Sequence, residues 1–161
     1  MTQQGRDRSH VAASLAAAGL TLPDVTPPLA SYRPAVRTPD TIYTAGQLPF
    51  ENGVLTAVGH LGSGGLTVEV GAAAAGRAAL AAIAAAFGVV AEPELIRPVK
   101  VTVFIAVAPG FTDLPEVADG ASEVFSDAFA VPHARSAVGV AELPRGAAVE
   151  VEAIFAVAGL G

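Results

Sequence analysis

The stretch from Val70 to Ala91 constrains this chain more than any other part of it. It is nearly uncharged, dominated by Ala and Gly, and long enough to cross a bilayer. Such a segment leaves water either for a membrane or for the inside of a folded domain. Arg77 sits within it, and an arginine at mid-membrane costs about 2.5–3.5 kcal/mol. A buried helix of a soluble protein is therefore expected, from near Thr67 to about Phe87, with Gly88 as its natural stop. Ala73, Gly76, Leu80, Ile83 and Phe87 recur at spacings of three and four, which predicts one narrow apolar stripe suited to close packing on a sheet.

That helix needs a sheet to cover. The run Val99-Lys-Val-Thr-Val-Phe-Ile-Ala-Val107 is rich in β-branched residues and apolar at every odd position, so it predicts a central strand. Asp113-Leu-Pro-Glu116 has the form of a helix start, and Leu114, Val117, Ala121, Val124 and Ala128 mark the apolar stripe of a second helix. Residues 41–48 and 54–58 predict two strands of a hairpin across the turn Glu51-Asn52-Gly53. Residues 134–142 and 148–157 predict two more, joined at Leu143-Pro-Arg-Gly146. The order β-β-α-β-α-β-β implies an α+β fold: one sheet, both helices on one face, and a hairpin at each end. The other face is also apolar on several strands. In a chain of 161 residues that predicts an oligomer hiding it.

Ahead of this pattern, residues 9–20 predict a short helix ended by Gly19. Residues 21–40 carry Pro23, Pro27, Pro28, Pro34 and Pro39, and predict an extended leader. The chain thus divides into an N-terminal helix and leader, residues 1–30, and one domain, residues 31–161. Arg6 and Arg8 before an apolar run have the outline of a signal peptide. Asp7 interrupts the basic part, however, and the run is mostly Ala, so an amphipathic helix and a cytoplasmic protein are expected.

The formal net charge of −6 works against nucleic acid and anionic membrane as partners. With no cysteine, disulfides, thiolate nucleophiles and zinc–thiolate sites are excluded. His10, His60 and His133 lack ligand-like spacing, and no metal site is expected. The loop His60-Leu-Gly-Ser-Gly-Gly65 precedes a helix but lacks the Gly-Lys-Ser/Thr ending of a phosphate loop, which makes it a plain connection.

Polar residues inside strong strands are the informative ones. In His133-Ala-Arg-Ser-Ala-Val-Gly139, His133, Arg135, Ala137 and Gly139 share a face, and the small neighbours leave space above the guanidinium. Arginine presents a planar, permanently charged fork that matches a carboxylate. In Val149-Glu-Val-Glu-Ala-Ile154 the carboxylates Glu150 and Glu152 share a face opposite Val149, Val151 and Ala153. Two readings follow: Arg135 anchors the carboxylate of a small metabolite, or it pairs with Glu150 or Glu152 across neighbouring strands.

The same segments carry a likeness. Tyr32, Tyr43-Thr-Ala-Gly-Gln-Leu-Pro49, Val99 to Ile105, His133-Ala-Arg-Ser-Ala-Val138, Val140-Ala-Glu-Leu-Pro144 and Val149-Glu-Val-Glu-Ala-Ile154 follow one another with compatible spacing. Together they resemble the RidA/YjgF family from about Tyr32 to the C-terminus. Ala108-Pro-Gly-Phe-Thr-Asp113 and Asp119-Gly-Ala-Ser122 resemble a divergent branch of it. The resemblance implies a chorismate-mutase-like fold, a homotrimer with sites between subunits, and hydrolysis of 2-imino or enamine acids to 2-oxo acids and ammonia without a cofactor. It implies that Arg135 holds the substrate carboxylate and that Glu150 positions or activates water. Tyr32 would close over the ligand, Gly46 would offer a backbone contact, and Ala45 and Ala137 would line the pocket.

The departures fall at that pocket. Family members with established deaminase activity commonly have Ser where this chain has Ala45 and Cys where it has Ala137, and Pro109 lies near a position often held by Asn. The alternative is thus a non-catalytic binding module for a 2-oxo acid or related carboxylate. A ribonuclease, a label sometimes attached to the family, is opposed by the acidic balance and the lack of a basic, aromatic stripe.

Overall fold

Alternation builds the central layer. β5 (Leu95–Ala106) buries Val101, Val103 and Ile105, while Lys100, Thr102 and Phe104 face the other way and are only partly covered. β7 (Val149–Ala158) does the same with Val149, Val151, Ala153 and Phe155 against Glu150, Glu152 and Ile154. The two strands pair antiparallel, with Val103 opposite Val151, Thr102 opposite Glu152 and Phe104 opposite Glu150. These relations come from a computed structural model that describes residues 4–25 and 31–158.

Two helices cover the buried face: α2 (Val68–Phe87) and α3 (Leu114–Phe129). The Thr67 side chain caps α2 by accepting from the Val70 N–H at 3.3 Å. Asp113 precedes α3 but makes no side-chain cap; its carbonyl accepts from Val117 instead, at 3.3 Å. The narrow stripe expected of α2 is not what forms. Ala73 is exposed, whereas every residue from Ala78 to Phe87 is buried, because side chains this small let α3 and the sheet close around the helix on all sides. α2 and α3 also meet at glycines. A Cβ on Gly120 would fall onto the backbone of Ala72, and one on Gly76 would stand 3.2 Å from the Gly120 carbonyl. Phe125, Phe129 and Phe155 fill the space between α3 and the sheet, with ring centroids 5.9–6.0 Å apart for the two pairs that include Phe155.

β1 (Ala35–Arg37), β2 (Thr41–Thr44) and β6 (Ala134–Val140) complete a five-stranded sheet in the order β1-β2-β7-β5-β6. The fold is α+β, with both long helices on one face, as expected. The two hairpins are not. A β-α-β crossover through α3 delivers β6 parallel to β5, with Val101 opposite Arg135, and β7 then enters on the far side of β5. β6 and β7 are therefore never neighbours, and a 3₁₀ turn at Pro144–Gly146 carries the chain across. At the other end, the turn at Asn52 and Gly53, both with positive φ, joins β3 (Phe50–Glu51) to β4 (Val54–Leu55). That pair is a separate ribbon, and β2 takes β1, drawn from the expected leader, as its other partner.

α1 (Arg8–Ala17) buries Val11 and Leu15 and packs on α3. The Asp7 that breaks the basic run caps this helix by accepting from the His10 N–H at 2.8 Å. Arg6 ties it down, donating to Ser14 Oγ at 2.6 Å and to the Ala128 carbonyl at 3.0 Å. Pro27 and Pro28 of the expected leader lie outside the described residues.

Candidate functional site

β6 forms one edge of the sheet, and Arg135 lies on its helix-facing side in register with the buried Val101. The aliphatic stem thus runs along the core margin, and the guanidinium emerges beside α3. Its Nη1 donates to Asp119 Oδ1 at 2.7 Å and to Ser122 Oγ at 3.1 Å, and its Nη2 reaches the Pro115 carbonyl at 3.4 Å. Asp119 and Ser122 are three residues apart on α3 and so share the face turned toward β6. A guanidinium has five N–H donors. Both donors of Nη1 are used, and those without a partner among the described residues are Nε–H and one N–H of Nη2.

The expected alternative, Arg135 pairing with Glu150 or Glu152, does not occur. β5 stands between the strands concerned, and the two glutamates point to the opposite face of the sheet. The resident carboxylate is Asp119.

His133 extends the cluster. Its Nε2 lies 3.0 Å from Ser122 Oγ, and its ring packs on Phe125 with centroids 5.5 Å apart. Since Ser122 Oγ accepts from Arg135, its hydroxyl proton is free to be donated to Nε2. In that arrangement Nε2 is the acceptor, while Nδ1 is buried without a hydrogen-bond partner among the described residues. Burial first, and then the nearby Arg135, push the His133 pKa below its ordinary value, which fits a neutral ring.

The uncovered face of the sheet carries a second set. Reading across the strands, Ser136, Thr102 and Glu152 form one row, and Val138, Phe104 and Glu150 the next. Lys100 Nζ donates to Ser136 Oγ at 2.6 Å. Beyond β2 the chain continues as a bridge in which Gln47 exchanges both backbone hydrogen bonds with Val151, at 2.8 and 3.0 Å. This brings Gly46 against Glu150 so closely that a Cβ there would overlap the carboxylate. Burial, and secondarily the charge of Glu152, push the Glu150 pKa above its ordinary 4.5. Around this row Val36, Tyr43 and Val138 stay exposed although large and apolar.

The expected site residues thus fall into separate groups within one protomer. Arg135 and Ala137 share the helix-facing side of the β6 edge. Glu150 and Gly46 are in contact on the open face, with Ala45 beside them. Tyr32 lies in the bend before β1, and β1 is the opposite edge strand of the sheet, four strand spacings or about 19 Å from β6. Asp119, Ser122 and His133 gather around Arg135, and sequence reasoning did not assign them to the candidate site. The available signal was the three-residue spacing of two short polar side chains on a helix whose other face is apolar.

The family model for endoribonuclease L-PSP matches residues 24–157. Protein TCP17 of Trypanosoma cruzi is 38% identical over 149 residues, covering 90% of this chain and 92% of that protein. A 2-iminobutanoate/2-iminopropanoate deaminase of Dermatophagoides farinae is 30% identical over 138 residues, covering 86% and 94%. Among solved structures, the protein Atu1372 of Agrobacterium tumefaciens, of unknown function, superposes with a TM-score of 0.81 at 32% identity over 93% and 94% of the two chains. With the sheet order, the paired helices and these matches in place, the chain belongs to the endoribonuclease L-PSP family, also known as RidA/YjgF.

Proposed function

We propose that this protein hydrolyses small, reactive 2-imino acids to 2-oxo acids and ammonia, in a homotrimer whose sites lie between subunits. The observation that carries the reading is Arg135: a guanidinium at a free sheet edge, fixed along one side, with two N–H donors left and only Ala137 and Gly139 beyond it on its strand. It suits the carboxylate of the substrate. The similarity to a 2-imino acid deaminase supports the same chemistry.

A protonated 2-imino acid is already electrophilic at its imine carbon, so the protein has mainly to orient it and a water molecule. Water adds to the C=N carbon while a carboxylate accepts one of its protons. The resulting carbinolamine expels ammonia once its nitrogen is protonated, and the C=O of the 2-oxo acid forms. Glu150 is the proton acceptor in this scheme, and a pKa raised above its ordinary value makes it a better one. In a single protomer Glu150 and Arg135 occupy opposite faces, so the scheme assigns them to different subunits of one site. The exposed Tyr43, Val36 and Val138 form the apolar surface on which those subunits meet. Tyr32 serves as the residue that closes over the ligand, Gly46 as a backbone contact, and the reaction uses no cofactor.

The direct test generates the imine in situ with an amino-acid oxidase or threonine dehydratase and follows its decay in the presence of this protein. Accelerated formation of 2-oxo acid and ammonia supports the reading. A second reading, a binding module for a 2-oxo acid, is favoured by Ala45 and Ala137, which bring neither hydroxyl nor thiol to the ligand. Saturable 2-oxo acid binding with no acceleration of imine decay would establish it.

A further inference from the structure

The resident partner of Arg135 has a consequence for which acids it admits. Asp119 uses one oxygen to hold Nη1, its side chain is 60% exposed, and Ser122 holds the same nitrogen from the next turn of α3. The hollow alongside is lined by Asp119, Ser122, Glu123, Ser126 and Asp127, and encloses about 400 Å³. No cation lines it. The charge of Arg135 is therefore already balanced by one carboxylate, and the ground beside it is negative.

We propose that Asp119 and Ser122 are positioning residues for the Arg135 anchor, and that Asp119 also sets its charge selectivity. The ligand is an acid with one carboxylate whose remaining part is neutral or cationic. A second anionic group, as in a dicarboxylic or phosphorylated acid, is rejected. A protonated 2-imino acid fits this requirement, since its cationic nitrogen sits one bond from the carbon that bears the carboxylate. The inference rests on Arg135 as the anchor proposed above, and it adds the substrate class which that anchor accepts.

Affinities for 2-oxobutyrate and 2-oxoglutarate, measured by calorimetry on the full-length protein, separate the two ideas. The parent is expected to bind 2-oxobutyrate in preference to 2-oxoglutarate, and Arg135→Ala to bind neither. Asp119→Asn removes a full charge within a few ångströms of the anchor, and it should shift the ratio toward 2-oxoglutarate by about tenfold. Asp119→Glu keeps the charge and should keep the parent ratio. Ser122→Ala should weaken both acids alike, by roughly fivefold, without changing the ratio. An unchanged ratio in Asp119→Asn, in a protein that still binds through Arg135, overturns the role of Asp119 and leaves the anchor standing. Binding that is absent in the parent, or untouched by Arg135→Ala, overturns the anchor and this inference with it. A melting temperature for Asp119→Asn within a few degrees of the parent certifies that the fold is intact.

Discussion

Replacing Arg135 with alanine should cost this protein far more in activity than in stability, and the difference can be worked from the contacts. The folded chain loses the Asp119 pair, the Ser122 hydrogen bond and the long contact to the Pro115 carbonyl. Asp119 is 60% exposed, so its pair with Arg135 contributes only about 1 kcal/mol, and Ser122 retains His133. For a chain of this length that corresponds to a fall in Tm of roughly 2–4 °C. The ligand, in contrast, loses two charge-assisted hydrogen bonds from the unused donors, together about 3–5 kcal/mol. Expressed as kcat/KM this is roughly 100- to 5000-fold. The assay is release of 2-oxo acid and ammonia from an imine generated in situ, run beside a thermal melt on the same preparation. A variant that melts near the parent and hydrolyses the imine as fast would refute the assignment. A variant that loses more than about 10 °C would show that the cluster is there to hold α3 on the sheet.

Three further substitutions test the reading. Glu150→Gln should abolish imine hydrolysis, while the parent's kcat/KM should rise with pH as Glu150 ionises; a flat profile removes it as the base. Because its folded pKa is raised above 4.5, the native state holds that proton more tightly than the unfolded chain. The parent should therefore lose stability relative to Glu150→Gln as pH climbs from about 4.5 through the raised value, a trend that denaturant melts at several pH values will show or not. Ile154→Lys puts a charge on the open sheet face between Lys100 and Tyr43, and should yield monomers by light scattering; an unchanged mass would place the interface elsewhere. Phe125→Ala empties a fully buried site against Phe155 and His133 and should cost about 3–5 kcal/mol in denaturant unfolding. A cost below 1 kcal/mol would mean that the core refills.

The layers were legible because they depend on local pattern. Val101, Val103 and Ile105, three of the odd positions, mark the buried side of β5, though Val99 at the register shift is exposed, and Leu114, Val117, Ala121, Val124 and Ala128 mark the face that α3 turns to the core. What stayed hidden is non-local. Nothing within residues 134–157 says that another strand will come between the two predicted there; that follows from the crossover through α3. The partner of Arg135 was obscured for the same reason, since strand spacing points to Glu150 and Glu152 whereas only the placement of a helix over the β6 edge brings in Asp119. In α2 the periodic signal failed for a different cause. A helix made of Ala and Gly has little contrast between its faces, so its enclosure is decided by the neighbours. The motif around Arg135 was more informative than its periodicity, which left two readings open.

The glycines where α2 meets α3 set a tolerance for the whole molecule. Gly120 is the neighbour in sequence of Asp119 and lies two residues from Ser122, so the residue that fixes how near α3 comes to α2 sits inside the clamp on Arg135. A methyl group at position 120 would clash with the backbone of Ala72, so α3 could not keep its present distance from α2. The shift would be felt as a misaligned carboxylate one residue away on the same helix turn. The gap between the two helices therefore acts as the gauge for the anchor, and a change that never touches a ligand would detune how tightly it is held.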